Sequence, residues 1–148
     1  VSSSHDIRAA LPNDFATVAA LLGEVDLPFD DISPTLVGFF VAERGTSILG
    51  TIGVERYGDA ALVRSVAVHT DARGTGLGGA LVERAINAAR TDGIRDLYLL
   101  TTTAADWAPR FGFTRIPRDH VNEAVRQSPQ FLGGTCASAI AMHLGLSN

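Results

Sequence analysis

The sequence predicts a single α/β domain built on a mixed, mainly antiparallel sheet flanked by helices, and three observations predict it. Three strand-like runs follow one another over residues 37–43, 47–57 and 61–68, separated only by short turns. Behind them a glycine-rich turn leads into a long amphipathic helix pattern over residues 76–92. The continuous apolar run Leu97-Tyr98-Leu99-Leu100 then reads as a buried strand. With 148 residues, 46% of them hydrophobic, the chain can bury one core and is short for two.

Each element has its own signal. His5-Asp6-Ile7-Arg8-Ala9-Ala10 alternates polar and apolar as a short strand does, and Pro12-Asn13-Asp14 opens a helix with Phe15, Val18, Ala19, Leu21 and Leu22 on its apolar face. Residues 26–35 hold two prolines and three acidic residues, the composition of a loop and a candidate border for a substrate site. Arg44-Gly45-Thr46 and Gly58-Asp59 divide the next stretch into three antiparallel strands. In the long helix Leu77, Leu81, Ala85 and Ala88 recur at helical spacing, Ile86 and Ala89 widen the stripe, and Glu83, Asn87 and Arg90 face away. A short helix near residues 106–111 ends at Gly112, with Pro109 tolerable only in its first turn. Residues 113–116, a helical stretch around 120–127 and a last strand within 136–144 close the chain.

Composition removes several classes of function. All 12 basic residues are arginine, so no lysine is present for a Schiff base or a Walker-type phosphate loop. The single cysteine, Cys136, excludes an internal disulfide and a multi-cysteine zinc site, and it reads as a small buried residue. His5, His69, His120 and His143 are too scattered for a metal site, so no metal is expected, and His69 reads as a turn residue. A net charge of −4 with scattered arginines offers no basic stripe, which argues against a nucleic-acid partner. No apolar run approaches the roughly 20 residues of a membrane span, and the first residues lack the pattern of a secretory signal. The expectation is a soluble, cytoplasmic protein without a membrane partner.

The most informative stretch is Val66-Ala67-Val68-His69-Thr70-Asp71-Ala72-Arg73-Gly74-Thr75-Gly76-Leu77-Gly78-Gly79-Ala80-Leu81, a strand, a polar turn and a glycine-rich helix start. Glycines let backbone amides approach an anion, the helix start adds unpaired donors and partial positive charge, and Arg73 adds a full one. Gly74-x-Gly76-x-x-Gly79 also matches the dinucleotide fingerprint, but that loop follows the first strand of its fold, whereas here three or four strands come first. A polar linker intervenes as well, and no acidic residue ends a second strand at the required distance, so the NAD reading fails on position. A ligand-free turn is the plainer alternative, yet five glycines between Gly74 and Gly93 are costly unless close backbone approach is used. Arg73-x-x-Gly76-x-Gly78 resembles the acetyl-CoA pyrophosphate loop of the GCN5-related N-acetyltransferases. The order of elements resembles that superfamily too, and Tyr98-Leu99 through Phe111-Gly112-Phe113 resembles its second cofactor segment.

That resemblance implies the superfamily fold and an acetyl-CoA-dependent N-acetyltransferase, in which a small-molecule amine attacks the thioester directly in a ternary complex. It implies that the backbone of Val66, Ala67 and Val68 pairs with pantetheine, and that Arg73, Gly74, Thr75, Gly76, Leu77, Gly78 and Gly79 hold the pyrophosphate. A homodimer is implied by the family and not by these residues. Many relatives carry a tyrosine acid four residues before the Gly-Phe pair; here that position is Ala108, with Trp107 beside it. Tyr57, Tyr98, Ser65, Thr101, Thr102, Thr103 or a water remain as proton donors, or catalysis proceeds without a dedicated acid. Trp107 and Phe111 read as core.

A two-residue turn at Gly58-Asp59 pairs Tyr57 with Ala60, Glu55 with Leu62 and Gly53 with Arg64, which sets Glu55, Tyr57 and Arg64 on one face. Two readings stand side by side. Glu55 and Arg64 are a cross-strand ion pair on a partly solvated face, or Glu55 is the catalytic base and Arg64 anchors a substrate carboxylate beside Tyr57. The second predicts an amino-acid-like substrate. The run from Leu99 through Thr101-Thr102-Thr103 to Trp107 resembles the catalytic domain of bacterial N-acetylglutamate synthases and stand-alone acetyltransferases associated with arsenic resistance. Residues 55–59 and 64–68 fit the latter group as well. Two rival functions stay open, a non-catalytic acetyl-CoA or amino-acid sensing module and an acetyltransferase of peptide amines.

Overall fold

The computed structural model describes residues 6–25, 27, 29, 32–101, 105–132 and 139–146. Cys136, Thr102, Thr103 and the acidic residues Asp26, Asp30 and Asp31 lie outside them. The chain begins with β1 (Asp6–Ala9), a 3-10 turn (Pro12–Asp14) and α1 (Phe15–Glu24), followed by β2 (Phe39–Arg44), β3 (Ser47–Tyr57) and β4 (Ala60–Val68). A 3-10 turn (Thr70–Ala72) leads to α2 (Leu77–Thr91) and β5 (Asp96–Thr101). A 3-10 turn (Ala108–Phe111), β6 (Thr114–Arg115), α3 (Glu123–Arg126), α4 (Pro129–Leu132) and β7 (Ile140–Gly145) complete it.

Among the described residues the strands are ordered β1-β2-β3-β4-β5-β7-β6. Pairing is antiparallel at β1–β2, β2–β3, β5–β7 and β6–β7, and parallel at β4–β5, the step that α2 crosses. This is the mixed, mainly antiparallel sheet that the sequence predicts. β2 starts two residues later than its apolar run, because Leu36 and Gly38 both take left-handed backbone (φ +55 and +82) and turn the chain just before it. No helix among the described residues is long and apolar enough to cross a membrane.

The chain divides into two compact units, Val1–Gly53 with Ser65–Ala85, and Val54–Arg64 with Ile86–Asn148. In the first, α1 packs buried Val18, Leu21 and Leu22 with Phe39 and Val41 of β2 and Ala67 of β4. Each such aliphatic side chain contributes about 2 kcal/mol through the apolar surface it withdraws from water. Gly50 of β3 has no side chain because the α2 start lies on it: a Cβ there would stand 2.8 Å from Leu81 Cδ1. Arg8 ties the amino-terminal elements together. Its Nη1 and Nη2 donate to both oxygens of Asp14 (2.8 and 3.1 Å), its Nε to Glu43 Oε1 (3.0 Å), and Asp14 also accepts the Leu11 N–H (2.7 Å). The guanidinium holds the Asp14 carboxyl below the usual carboxylate range, against the opposing pull of burial.

In the second unit the parallel register sets Leu62 beside Tyr98. Alternate residues Ala60, Leu62, Tyr98 and Leu100 then share one core with Val121, Val125 and Ala141. Leu97, Val63 and Met142 are buried too, which explains why β5 reads as an unbroken apolar run.

Candidate functional site

The glycine-rich loop lies in the first unit. Thr70–Ala72 forms a 3-10 turn whose Asp71 N–H is capped by His69 Nδ1 (3.1 Å), so His69 is the turn residue the sequence predicts. Gly74 and Gly76 follow at φ +81 and +83, with no atom within 4 Å of where a Cβ would stand. These positions are glycine for backbone conformation, whereas Gly50 is glycine for space. The Ala80 N–H donates to Gly76 O (3.1 Å). The amides ahead of it on Leu77, Gly78 and Gly79 are the donors that a helix start leaves without an intrahelical acceptor. Leu77 buries its side chain (3% exposed) and offers only its backbone. Arg73 is exposed and its Nε donates to Val68 O (3.3 Å), which carries the guanidinium back along the strand that precedes the loop. Exposed left-handed glycines, open space and orphan amides fit the diphosphate of a nucleotide-type cofactor.

One residue beyond Arg64, β4 is irregular. The His69 N–H donates to Leu49 O (2.7 Å), one residue out of the register set by a two-residue turn at Gly58-Asp59. Ser65, buried at φ +59, is where we place the extra residue, as a β-bulge. Val66 and Val68 beyond it are half-buried and Ala67 is buried.

Glu55, Tyr57 and Arg64 meet in the second unit, as the hairpin argument predicts. Gly58 takes φ +69 at the first turn position, where a type II′ turn requires glycine. Arg64 Nη1 donates to Glu55 Oε2 (2.8 Å) and the Tyr57 hydroxyl to Glu55 Oε1 (3.1 Å). The Arg64 side chain exposes no surface, while that of Glu55 is 24% exposed. Burial, then the charge and hydrogen bond of Glu55, push the Tyr57 phenol up to about 12; Ser128 and Arg64 pull the other way. Tyr57 therefore stays a protonated donor through any assay range. Each carboxylate oxygen of Glu55 keeps further lone-pair capacity, so the group can still accept a proton from solvent or a ligand.

The other candidates are placed as follows. Burial and the charge of Asp96 raise the Tyr98 phenol, against an opposing bond from the Asn122 backbone. Ala108, at the position where many relatives carry a tyrosine, is 1% exposed. Trp107 and Phe111 pack edge to face at 4.9 Å but are only half-buried; Ala108 and Phe113 take the interior positions instead. Ser128 is the participant that sequence reasoning missed.

Among solved structures, N-acetylglutamate synthase from Neisseria gonorrhoeae, complexed with coenzyme A and N-acetyl-glutamate, matches with a TM-score of 0.85. The match has 23% identity and covers 100% of this chain and 36% of that one. Rv2747 from Mycobacterium tuberculosis, in complex with CoA, matches with a TM-score of 0.77 at 23% identity over 96% of this chain and 99% of that one. The fold is thus that of the GNAT acetyltransferases. The sequence profile of the acetyltransferase (GNAT) domain matches residues 36–115, and the chain belongs to that family. An amino-acid acetyltransferase of Salmonella typhimurium is 36% identical over 139 residues, 86% of this chain and 31% of the relative. The chain therefore spans about a third of the length of the curated relatives it matches.

Proposed function

We propose that the chain transfers an acetyl group from acetyl-CoA to the amine of a small, amino-acid-like substrate, with Glu55 as the base. The observation that carries this reading is the Glu55 carboxylate, fixed by a buried guanidinium and a phenol and still open to solvent. The amino-acid acetyltransferases among its relatives support the substrate class. The scattered arginines and net charge of −4 support a small molecule over nucleic acid.

Residues 73–79 would hold the pyrophosphate, and the backbone of Val66, Ala67 and Val68 the pantetheine. When bound, acetyl-CoA supplies the acetyl group as a thioester, an acyl donor that a neutral amine attacks directly. Glu55 takes the proton that makes an ammonium group neutral, either directly or through one water. The new carbon–nitrogen bond forms as the carbon–sulfur bond breaks, and the thiolate leaves with the electron pair. Nitrogen sheds its second proton as the amide forms, and the thiolate, whose conjugate acid has a pKa near ~8.5, takes it up, whereas proton transfer from Tyr57, at about 12, is uphill. No side-chain acid is then needed, which accommodates Ala108.

Of the two sequence readings of Arg64, cross-strand partner of Glu55 or anchor for a substrate carboxylate, this proposal takes the first, because its side chain has no exposed surface. The test is steady-state CoA release with free amino acids, simple amines and peptides, for the wild type, Glu55→Gln and Arg64→Lys. Turnover of amino acids that Glu55→Gln lowers without changing the acetyl-CoA KM supports the reading. No turnover with any amine favours a sensing module, and a peptide preference favours a protein acetyltransferase. A rise in amine KM alone in Arg64→Lys returns Arg64 to the substrate.

A further inference from the structure

We propose that Gly50 is a positioning residue for the cofactor, the point on β3 that sets the spacing between the end of β4 and the start of α2. This rests on the reading of residues 66–68 and 73–79 as the acetyl-CoA site. A Cβ on Gly50 would meet three groups: Leu81 Cδ1 at 2.8 Å, Leu77 Cδ2 at 3.3 Å and Ala67 O at 3.3 Å. Ala67 lies in the strand before the glycine-rich loop and Leu77 opens the helix after it, so both flanks of the loop converge on one residue of a third element. Gly50 is not among the left-handed glycines, and space alone calls for glycine there.

Neither flank yields easily. Leu77 and Leu81 are one turn apart on the same face of α2, and both are buried (3% and 0% exposed). The end of Leu81 has no solvent to swing into, so in a close-packed interior the strain passes to the helix. On the other flank the contact is a peptide carbonyl, which moves only with its strand. The His69 N–H donates to Leu49 O (2.7 Å), so alternation along β4 turns the Ala67 peptide groups towards β3 and those of Val66 and Val68 to the opposite side. Val68 O, which accepts Arg73 Nε (3.3 Å), lies on that opposite side. A ligand held by the Val66 and Val68 peptides and by the amides of Leu77, Gly78 and Gly79 reads the distance between strand and helix. Its pantetheine and diphosphate are two modules on one linker, and linked modules bind together only when their sites keep the spacing that the linker spans. Displacing α2 or β4 from β3 alters that spacing and leaves each half of the site intact.

The experiment is calorimetric titration with acetyl-CoA, with thermal unfolding of the same samples. Two fragments compete against it: ADP, which has the diphosphate without the pantetheine arm, and S-acetylpantetheine, which has the arm without the diphosphate. The proteins are wild type, Gly50→Ala, Leu81→Val, the Gly50→Ala/Leu81→Val double variant and Gly53→Ala. Gly50→Ala is expected to raise the acetyl-CoA Kd about tenfold, within the range that overpacking costs, and to change the two fragment constants less than about twofold. Leu81→Val removes one carbon where the alanine adds one, so the double variant conserves volume and recovers to within about threefold of wild type. Gly53→Ala, whose Cβ stands 2.6 Å from Phe39 Cζ, overpacks β3 against β2 instead; it lowers Tm and keeps wild-type affinity. A Gly50→Ala protein with reduced Tm and unchanged Kd overturns the inference. So do an equal loss of affinity in Gly53→Ala, a double variant no better than Gly50→Ala, and fragments weakened as much as acetyl-CoA. Where Gly50→Ala does not fold, Leu81→Ile keeps the volume and changes the shape that meets Gly50; its Kd is expected to rise about threefold, and an unchanged value overturns the inference. Wild type that binds no acetyl-CoA overturns the cofactor reading and this inference with it, whereas wild type and Gly50→Ala that bind equally well overturn this inference alone.

Discussion

Replacing Gly76 by alanine isolates backbone conformation from every other property of the loop. The residue is exposed at φ +83, and no atom lies within 4 Å of the new Cβ, so no contact is made or broken. What remains is the cost of holding an L-residue in left-handed backbone, about 1–2 kcal/mol. That cost appears in one of two places. If the loop keeps its shape in the free protein, stability falls, and for a chain of this size Tm drops by roughly 2–4 °C per kcal/mol. If the free loop relaxes to negative φ, stability is retained and the ligand must restore the strained form. Acetyl-CoA then binds about five- to thirtyfold more weakly, since 1.4 kcal/mol is a factor of ten. Thermal unfolding and calorimetric titration with acetyl-CoA on the same sample measure both, and the two losses together should amount to about 1–2 kcal/mol. Gly45→Ala, at a left-handed glycine outside the loop (φ +63) with the same open space, is the control, expected to lose Tm and keep its affinity. A Gly76→Ala protein with wild-type Tm and wild-type affinity refutes the argument that the left-handed loop is part of the cofactor site.

Glu55→Gln should lower kcat by about 10²–10⁴, the usual worth of a positioned base, with the acetyl-CoA KM unchanged in steady-state assays. Gly53→Ala puts a methyl 2.6 Å from Phe39 Cζ, and overpacking should cost about 1–3 kcal/mol in urea unfolding. Asp14→Asn should cost about 1–2 kcal/mol at pH 7, because a partly buried carboxylate loses its forked bond to Arg8. The folded carboxyl lies below its unfolded value, so its contribution is complete above about pH 4 and fades as pH falls through the folded value. The wild type should therefore lose stability on acidification more steeply than Asp14→Asn; parallel curves between pH 5 and 2 would contradict this.

Legibility tracked how locally each feature is determined. The glycine-rich loop could be read because strand, turn and glycine-started helix are consecutive. The Glu55–Tyr57–Arg64 cluster could be read because one two-residue turn fixes side-chain parity on both strands. β5 was legible as buried from its unbroken apolar run, although nothing in that run says which neighbour is parallel. Ser128 had no signal: α3 and α4 have four residues each, barely one period, and tertiary packing alone carries the turn between them to Tyr57. The helical spacing of Trp107 and Phe111 reads as core, but in the tight turn at Pro109 the buried position belongs to Ala108. The bulge at Ser65 was hidden as well, because an inserted residue leaves the apolar pattern of β4 intact.

The Arg8 guanidinium also orders events in time. Its two acidic partners lie at very different distances along the chain, Asp14 six residues away and Glu43 thirty-five. The entropy of closing a loop rises with its length, so the arm to Asp14 closes while β2 is still far off. β1 thus arrives at the sheet with its arginine already oriented and one carboxylate already in place. A large φ-value for Asp14→Asn beside a small one for Glu43→Gln is the kinetic signature of that sequence, and equal values would exclude it.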